Sequence, residues 1–196
     1  MTLPTYDKSK RRKSFSQLPK GAYVIKILNA KEDKWPSGDT CVKIAFDIAE
    51  GEYAGFYQKI FDGNTSEDKK WPLDAVFTLN VPSDNSQDYV WTNWNTFFAD
   101  LEDSNSGFVF RGDLKTLKGK VIGGLFRIRQ SEYNGNVYDH TELKWTRAAD
   151  DVRSGNYGKL PNDKLAAGGS TSGSIKKSDP NDFVSVPDGV EEELPF

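Results

Sequence analysis

The sequence predicts a mainly β fold: a small five-stranded barrel with a helical insertion and disordered extensions at both ends. Three observations support this prediction. Short runs of residues alternate between apolar and polar, turn-forming residues separate these runs, and both ends of the chain lack the pattern. Aromatic residues make up 13% of the 196 residues, so one apolar core can be stable without covalent cross-links.

The first two strands are predicted within residues 22–29 and 42–48, and a turn at residues 36–39 lies between them. Side chains alternate across a pleated sheet, so the second strand has a buried face and an outward face. We expect Val42, Ile44, Phe46 and Ile48 on the buried face, and Cys41, Lys43 and Asp47 on the outward face. A third strand is expected at residues 56–61, after a turn-rich connection.

The middle of the chain contains the best candidate for a helix. Residues 75–81 could form a further strand, and residues 87–101 then place large apolar side chains at helical spacing, among them Trp94, Phe97 and Leu101. Asp88 lies in the first turn, where a carboxylate interacts favourably with the helix dipole. We therefore predict a helix at residues 87–101.

The last ordered region, residues 120–147, predicts a β-hairpin. Asn134-Gly135 lies between two alternating runs and favours a type I′ turn, because both central residues of that turn need positive φ. Gly123 and Gly124, inside the first strand of the hairpin, indicate a bulge or a sharp bend.

Three strands, a helical segment and a closing hairpin are the elements of a five-stranded barrel of the OB type, although other small barrels and sandwiches have the same count. The predicted organisation has four parts. Residues 1–18 form a basic disordered arm, residues 19–150 the OB-type domain, residues 151–177 a flexible linker, and residues 178–196 an acidic tail.

Charge is divided unevenly along the chain. The net charge is −3, but residues 1–177 hold all 26 Lys and Arg with 23 acids, whereas residues 178–196 hold the other six acids and no base. A mildly basic body therefore precedes a strongly acidic tail. The basic cluster near the N-terminus is expected to be a solvated arm, with phosphate contact as the alternative, and consists of Lys8, Lys10, Arg11, Arg12 and Lys13.

The sequence also predicts the compartment. No apolar run follows the basic cluster as a signal sequence requires, and no stretch approaches the ~20 apolar residues that cross a bilayer. Because Cys41 is the single cysteine, the chain has neither an internal disulfide nor a multi-cysteine zinc site. We expect a cytoplasmic protein with no membrane partner.

The sequence offers little from which to build an active site, so we expect a protein that is not an enzyme and uses no cofactor or metal. His140 is the single histidine, and no nucleophile is identifiable beside it, which favours hydrogen bonding or stacking over general-base chemistry. No phosphate-binding loop motif occurs. The alternative is a metal-dependent nuclease whose divalent cation is held by Asp47, Glu50, Asp62 and Asp68.

Basic and aromatic residues are interleaved on the predicted outward faces. Single-stranded DNA requires this combination, because cations meet its phosphates and its bases stack on rings. Trp35 adds a ring beside Lys31 and Lys34, in a loop that borders the binding face of OB folds. The expected DNA-binding residues are Trp35, Lys43, Tyr57, Lys59, Phe61, Arg127, Arg129, Tyr133, Tyr138, His140 and Lys144. The other tryptophans, Trp71, Trp91, Trp94 and Trp145, are expected mainly in the core or capping the barrel.

The acidic tail finishes with Glu191, Glu192, Glu193, Leu194, Pro195 and Phe196. A Phe ring beside an α-carboxylate, with acids upstream, suits a small apolar pocket rimmed by Lys and Arg. The arrangement resembles the C-terminal tip of bacterial single-stranded DNA-binding proteins, with Glu in place of the usual Asp. The resemblance implies that the tip recruits replication or recombination proteins.

Three motifs in the body are Gly21-Ala-Tyr-Val-Ile-Lys, Asp47-Ile-Ala-Glu-Gly-Glu-Tyr-Ala-Gly55 and Glu132-Tyr-Asn-Gly-Asn-Val-Tyr138. Over roughly residues 20–150 the body resembles phage-encoded single-stranded DNA-binding proteins. The resemblance implies an OB fold and single-stranded DNA as the ligand, in the cytoplasm of a bacterial host, but it assigns no individual contact residue.

We therefore expect sequence-tolerant binding of single-stranded DNA in replication, recombination or repair. The alternative is an OB-like module that binds only another protein. The tail could also fold back on the body and compete with DNA. Oligomeric state, site size and strand polarity are left open by the sequence.

Overall fold

A computed structural model describes residues 17–166 of the chain. The predicted arm at residues 1–16 and the residues from 167 onward, including the acidic tail and its tip, lie outside the described residues. The described elements, in chain order, are β1 (Ala22–Lys34), β2 (Thr40–Ile48), α1 (Phe56–Gly63), β3 (Val76–Asn80), α2 (Asp88–Ser104), β4 (Val121–Tyr133), β5 (Asn136–Arg147) and α3 (Ala149–Ser154). Two short 3₁₀ turns, Leu73–Ala75 and Leu114–Leu117, precede β3 and β4.

The fold is mainly β, as predicted, and consists of one five-stranded antiparallel sheet with three helices. The strand order is β3-β2-β1-β4-β5. The long strand β1 pairs with β2 through its second half and with β4 through its first half, and a register shift between Ile27 and Asn29 bends it. Within residues 17–166 the edge strands β3 and β5 do not pair, so the sheet is not closed into a hydrogen-bonded barrel.

One apolar core lies between the curved sheet and α2. Phe46, Ile25 and Phe126 contribute fully or almost fully buried side chains from three strands. The helix α2 contributes Phe97 and Leu101 from one face, and spans Asp88–Ser104, which confirms the helix predicted at residues 87–101. Helical spacing places these side chains on the same side of α2, so the helix covers one opening of the sheet.

The expected strand at residues 56–61 is wrong, because these residues form helix α1. The first turn of α1 is held by Asp47 at the end of β2: Asp47 Oδ1 accepts from the Tyr57 amide at 2.9 Å, and Oδ2 accepts from the Gln58 amide at 3.2 Å. A carboxylate that accepts from exposed amides of a first turn stabilises a helix. The fifth strand is instead β3, within the segment where a further strand was considered.

The predicted hairpin of β4 and β5 is confirmed. Asn134 and Gly135 have φ of 50° and 76°, as a type I′ turn requires. A register shift lies next to the glycine pair, between Leu125 and Phe126, but its extra residue is Lys144 on β5, so the bulge is on the strand opposite the one predicted. Gly123 is needed for close approach, because an added Cβ would lie 2.5 Å from Cγ2 of Val152 on α3.

Residues 151–166, which were assigned to the flexible linker, pack against the sheet. After α3 the chain runs beside the free edge of β4, where the Lys164 amide donates to the Ile128 carbonyl at 2.9 Å and the Gln130 amide donates to the Lys164 carbonyl at 2.7 Å. These bonds cover backbone groups of an edge that would otherwise be open to another strand. The ordered body therefore extends to at least residue 166.

Candidate nucleic-acid interface

Trp35 begins the loop between β1 and β2, and its side chain is 42% exposed. The loop is tight, because the Trp35 amide donates to the Asp39 carbonyl at 2.8 Å. The indole Nε1 donates a 2.8 Å hydrogen bond to Oδ1 of Asn80 at the end of β3. Since β2 lies between β1 and β3 in the sheet, the indole reaches across β2 and is fixed against one face of the sheet.

Two lysines lie on the same face of the sheet as the Trp35 indole, further from the loop between β1 and β2. Lys31 of β1 is directly opposite Lys43 of β2, an arrangement in which like charges repel. Asp33 Oδ2 lies 2.8 Å from Lys43 Nζ, and the hydrogen bond from Lys43 is the main cause that lowers the pKa of Asp33. The Asp33 carboxylate thus lies beside two ammonium groups, and Lys43 is engaged within the protein. We call Lys31, Asp33, Trp35, Lys43 and Asn80 the tryptophan face.

Arg127 and Arg129 lie on one face of β4, as predicted, and both are held by Glu142 of β5. Arg127 Nη2 lies 2.5 Å from Glu142 Oε1, and Arg129 Nε lies 2.8 Å from Glu142 Oε2. The two guanidinium groups share the Glu142 carboxylate, and Asp163 also lies close enough to interact with Arg127. A phosphate that binds these arginines must compete with Glu142.

His140 connects this hairpin to the far edge of the sheet. Its Nε2 lies 2.8 Å from the hydroxyl of Ser131, and its Nδ1 lies 3.4 Å from Oδ1 of Asp74, immediately before β3. Asp74 lies in the 3₁₀ turn before β3 and Asn80 at the end of β3, and the strand itself, Val76–Asn80, spans about 13 Å at about 3.3 Å per residue. The tryptophan face and the hairpin lie at opposite ends of one edge strand.

Three of the predicted DNA contacts lie in α1 rather than on a strand. Tyr57 is buried against Phe46, and burial, with Asp74 and Asp47 nearby, raises the pKa of its hydroxyl. Lys59 is exposed and donates to the Ala54 carbonyl at 3.0 Å. Phe61 packs against the buried Trp71, with a ring-centroid separation of 5.5 Å. The prediction of Tyr57 as a stacking residue is wrong, because its ring is inaccessible.

The remaining predicted contacts lie at the end of the hairpin or at its bulge. Tyr133 is 37% exposed beside the turn, and Tyr138 is half-buried on the same face as the arginines. Lys144 is the extra residue at the β5 bulge and is exposed.

Among the other tryptophans, Trp71 is buried and Trp94 is partly buried against the core, as expected. Trp91 and Trp145 are each 42% exposed, so neither lies in the core, and the capping role stays a prediction.

The outward face predicted for β2 is covered at both ends. Cys41 is fully buried, and it pairs with Asn80 of β3 near the point where the Trp35 indole reaches Asn80. Asp47 is buried under the first turn of α1. Both were expected to face solvent. The alternation rule gives the face of a residue correctly, but it does not show what packs on that face.

The acids proposed for a nuclease site do not converge. Asp47 holds α1, and Glu50 forms an ion pair with Arg153, with a Oε1–Nη2 distance of 2.6 Å. Asp62 accepts from the Gln58 side chain at 2.9 Å. Among residues 17–166, no group of three or more His, Cys, Asp or Glu is arranged to hold a metal ion.

Two site residues were missed by reasoning from the sequence. Glu142 could have been found, because a two-residue turn at Asn134 and Gly135 fixes the register that places Glu142 opposite Arg127. Asn80 carries no such signal, since its bond to Trp35 joins residues 45 positions apart.

The part of the chain that the structure describes is not basic. Residues 17–166 carry 19 Lys and Arg against 22 Asp and Glu, a net charge of −3. The positive charge of residues 1–177 therefore belongs to the segments on either side. Attraction for an anion must come from local clusters such as the tryptophan face, because the body as a whole does not supply it.

A family model described as "Protein of unknown function (DUF669)" matches residues 4–75, which is less than half of the chain. The match includes β1, β2 and α1, and thus Trp35 and Lys43 of the tryptophan face. No curated protein matches the sequence. No helix of residues 17–166 has the length and apolar character needed to cross a membrane.

Proposed function

We propose that this protein binds single-stranded DNA without strong sequence preference, through the tryptophan face, and acts in replication, recombination or repair in the cytoplasm. The observation that carries the proposal is the indole of Trp35, which is 42% exposed and fixed by its hydrogen bond to Asn80. A single exposed ring is common on protein surfaces, and Trp35 differs in the hydrogen bond that fixes its indole. A ring that is also held in one orientation is suited to stacking with a base.

The cations beside Trp35 support a nucleic acid as the ligand. Lys34 is exposed next to Trp35, and Lys31 is partly exposed on the same face, opposite Lys43, which is paired with Asp33. A base stacked on the indole would bring its phosphate toward these ammonium groups. Stacking depends on a π-face that every base has, so the same site accepts any sequence.

The hairpin would extend the binding surface along β3. That strand, Val76–Asn80, spans about 13 Å, which is compatible with the lower end of the range of about 4–16 nucleotides per OB-type domain. Arg127 and Arg129 would meet phosphates at the far end, in competition with Glu142. Trp35 should therefore contribute more to affinity than either arginine.

The acidic tail completes the proposal. Residues 178–196 carry six acids and no base, and Leu194, Pro195 and Phe196 follow three of those acids. We propose that this tip recruits replication or recombination proteins, because a partner with a basic rim around an apolar pocket would recognise both its charge and its ring.

The test is the affinity of Trp35→Ala for fluorescein-labelled (dT)25, measured by anisotropy. Loss of one stacked base costs about 1–3 kcal/mol, which raises Kd about 5- to 150-fold. Trp91→Ala is the matched control, because Trp91 has the same exposed fraction on α2. Asn80→Ala should weaken binding by a smaller factor, since it removes the bond that orients the indole and leaves the ring in place. Equal affinities for Trp35→Ala and Trp91→Ala would contradict the proposal.

A protein-binding module is the second candidate, and one observation favours it. Tyr89 and Trp91, near the start of α2, are 58% and 42% exposed, and exposed aromatic side chains are enriched at protein interfaces. This candidate predicts no binding of (dT)25 at low salt. The same titration therefore separates the two functions.

A further inference from the structure

The segment between α2 and β4 forms an open groove that the proposed function does not use. Its volume is about 410 Å³, within the range of about 300–1,000 Å³ that is usual for ligand sites. Arg111, Thr116 and Lys120 lie along it, beside Phe108. We call these four residues the basic groove.

The groove belongs to a strongly positive segment. Residues 106–120 contain Arg111, Lys115, Lys118 and Lys120, and Asp113 is the single acid. The Asp113 carboxylate accepts from the Lys115 amide at 2.9 Å and so stabilises the 3₁₀ turn. The segment has a net charge of +3 in a described body whose net charge is −3.

These cations differ from those of the hairpin in one respect. Within residues 17–166, Arg111, Lys115, Lys118 and Lys120 form no ion pair with a carboxylate, whereas the cations of the hairpin are bound by Glu142. An anion that binds the groove would not need to displace an internal carboxylate. A phosphate that binds the groove therefore meets less competition from carboxylates than one that binds the hairpin.

The groove is held in place by backbone bonds to the sheet. The Gly119 amide donates to the Ile27 carbonyl at 2.8 Å, and the Ile27 amide donates to the Lys120 carbonyl at 2.8 Å. The Lys120 ammonium lies 4.6 Å from the centre of the Phe108 ring, which fixes the long side chain over the groove. Cations held in this way lose little conformational freedom when an anion binds.

The lining favours a phosphate backbone over an acidic peptide with an apolar tip. Lys120 covers the face of Phe108, and Phe110 stacks on Phe98 with ring centroids 3.9 Å apart. The rings near the groove are therefore engaged within the protein, and the lining offers cations and hydroxyl groups rather than an apolar pocket. Phosphate oxygens need such groups and no apolar pocket.

We propose that the basic groove is a second contact site for the phosphates of single-stranded DNA; this inference rests on the proposed function. Ile27, beside the groove, precedes Trp35 by eight residues, so up to about 26 Å separates the groove from the indole on which a base would stack. A long strand of DNA would contact both sites. A tetranucleotide, at about 3.4 Å per stacked nucleotide, would not.

The experiment measures the affinity of Arg111→Gln/Lys120→Gln for (dT)25 and for (dT)4 by anisotropy or competition, across a range of salt. Two lost phosphate contacts should weaken (dT)25 binding about 25-fold at about 0.1 M salt and lower the slope of log K against log salt by about 1.4. Binding of (dT)4 should change less than about twofold, because the tryptophan face holds it. Lys70→Gln/Lys159→Gln, which removes the same charge from two other exposed lysines, is the control.

The outcomes separate this inference from the proposed function. If the wild-type protein binds (dT)25 and the groove variant matches the control in affinity and salt slope, the groove inference fails and the proposed function stands. An equal loss for (dT)4 and (dT)25 would also overturn it, because the groove would then not be a separate site. Unchanged (dT)25 binding with loss of binding to labelled hexaglutamate would assign the groove to an acidic protein segment instead. If the wild-type protein does not bind (dT)25, both proposals fail. Unchanged circular dichroism and Tm of the variants would show that the fold is intact.

Discussion

Replacement of Asp47 by Asn should destabilise the protein, because this buried carboxylate holds three backbone amides. Oδ1 accepts from the Ile48 amide at 2.8 Å and from the Tyr57 amide at 2.9 Å, and Oδ2 accepts from the Gln58 amide at 3.2 Å. The Asn side chain has one accepting oxygen, so at least one amide would face an NH₂ group. An unsatisfied buried group costs about 1–3 kcal/mol, and the remaining bonds lose their charge assistance. We expect a total loss of about 2–4 kcal/mol.

Urea unfolding followed by circular dichroism measures this loss. With an m value of about 2 kcal/mol/M, the midpoint of Asp47→Asn should fall by about 1–2 M, with m itself unchanged. Asp68→Asn is the control, because Asp68 is an exposed acid in the loop after α1. A midpoint for Asp47→Asn that is no lower than that of Asp68→Asn would refute the conclusion that this carboxylate holds α1 in place.

Two further predictions concern the packing of β4 and a buried acid on α2. Gly123→Ala should lower the free energy of unfolding by about 1–3 kcal/mol, because the added Cβ would meet Val152 at 2.5 Å and two backbone carbonyl oxygens at 2.9 Å; an unchanged Tm would contradict this. Burial raises the pKa of Asp100, although its carboxylate accepts from the Thr146 hydroxyl at 2.7 Å, so the folded state binds the proton more tightly than the unfolded state. The stability that the folded state gains from this tighter proton binding is fully present below the pKa of Asp in the unfolded chain, about 3.9, and is lost as pH rises through the pKa of Asp100 in the folded protein. Asp100→Asn should therefore be more stable than the wild type at pH 7 and lose that advantage near pH 4, and a stability difference independent of pH would contradict the assignment.

Local patterns predicted those parts of the fold that local interactions determine. The turn at Asn134 and Gly135 needs positive φ at two adjacent residues, and few sequences supply it, so the hairpin followed from the sequence alone. The helix α2 followed from its apolar spacing.

The pattern failed at α1, where residues 56–61 contain enough aromatic and β-branched residues to resemble a strand. The deciding interaction is the bond from Asp47, ten residues before Tyr57, and no local propensity contains it.

The candidate site was predicted in outline but not in its contacts. Alternation placed Lys43, Arg127 and Arg129 on outward faces, and the structure has them there. It did not show that each of these cations has a carboxylate partner, because the partners lie on neighbouring strands. The hairpin register could have identified Glu142 as the partner of the arginines, because it is fixed by the turn. The bond between Trp35 and Asn80 follows only from the three-dimensional sheet.

The most direct test of the central claim observes the Trp35 indole while DNA binds. The five tryptophans give five indole N–H signals in a two-dimensional ¹H–¹⁵N spectrum, and Trp35→Phe and Trp91→Phe assign two of them. On titration with (dT)8, the Trp35 signal should shift progressively to saturation, because a stacked base changes its magnetic environment, while the Trp91 signal should stay in place. A Trp35 signal that does not move at saturating (dT)8 would contradict the account.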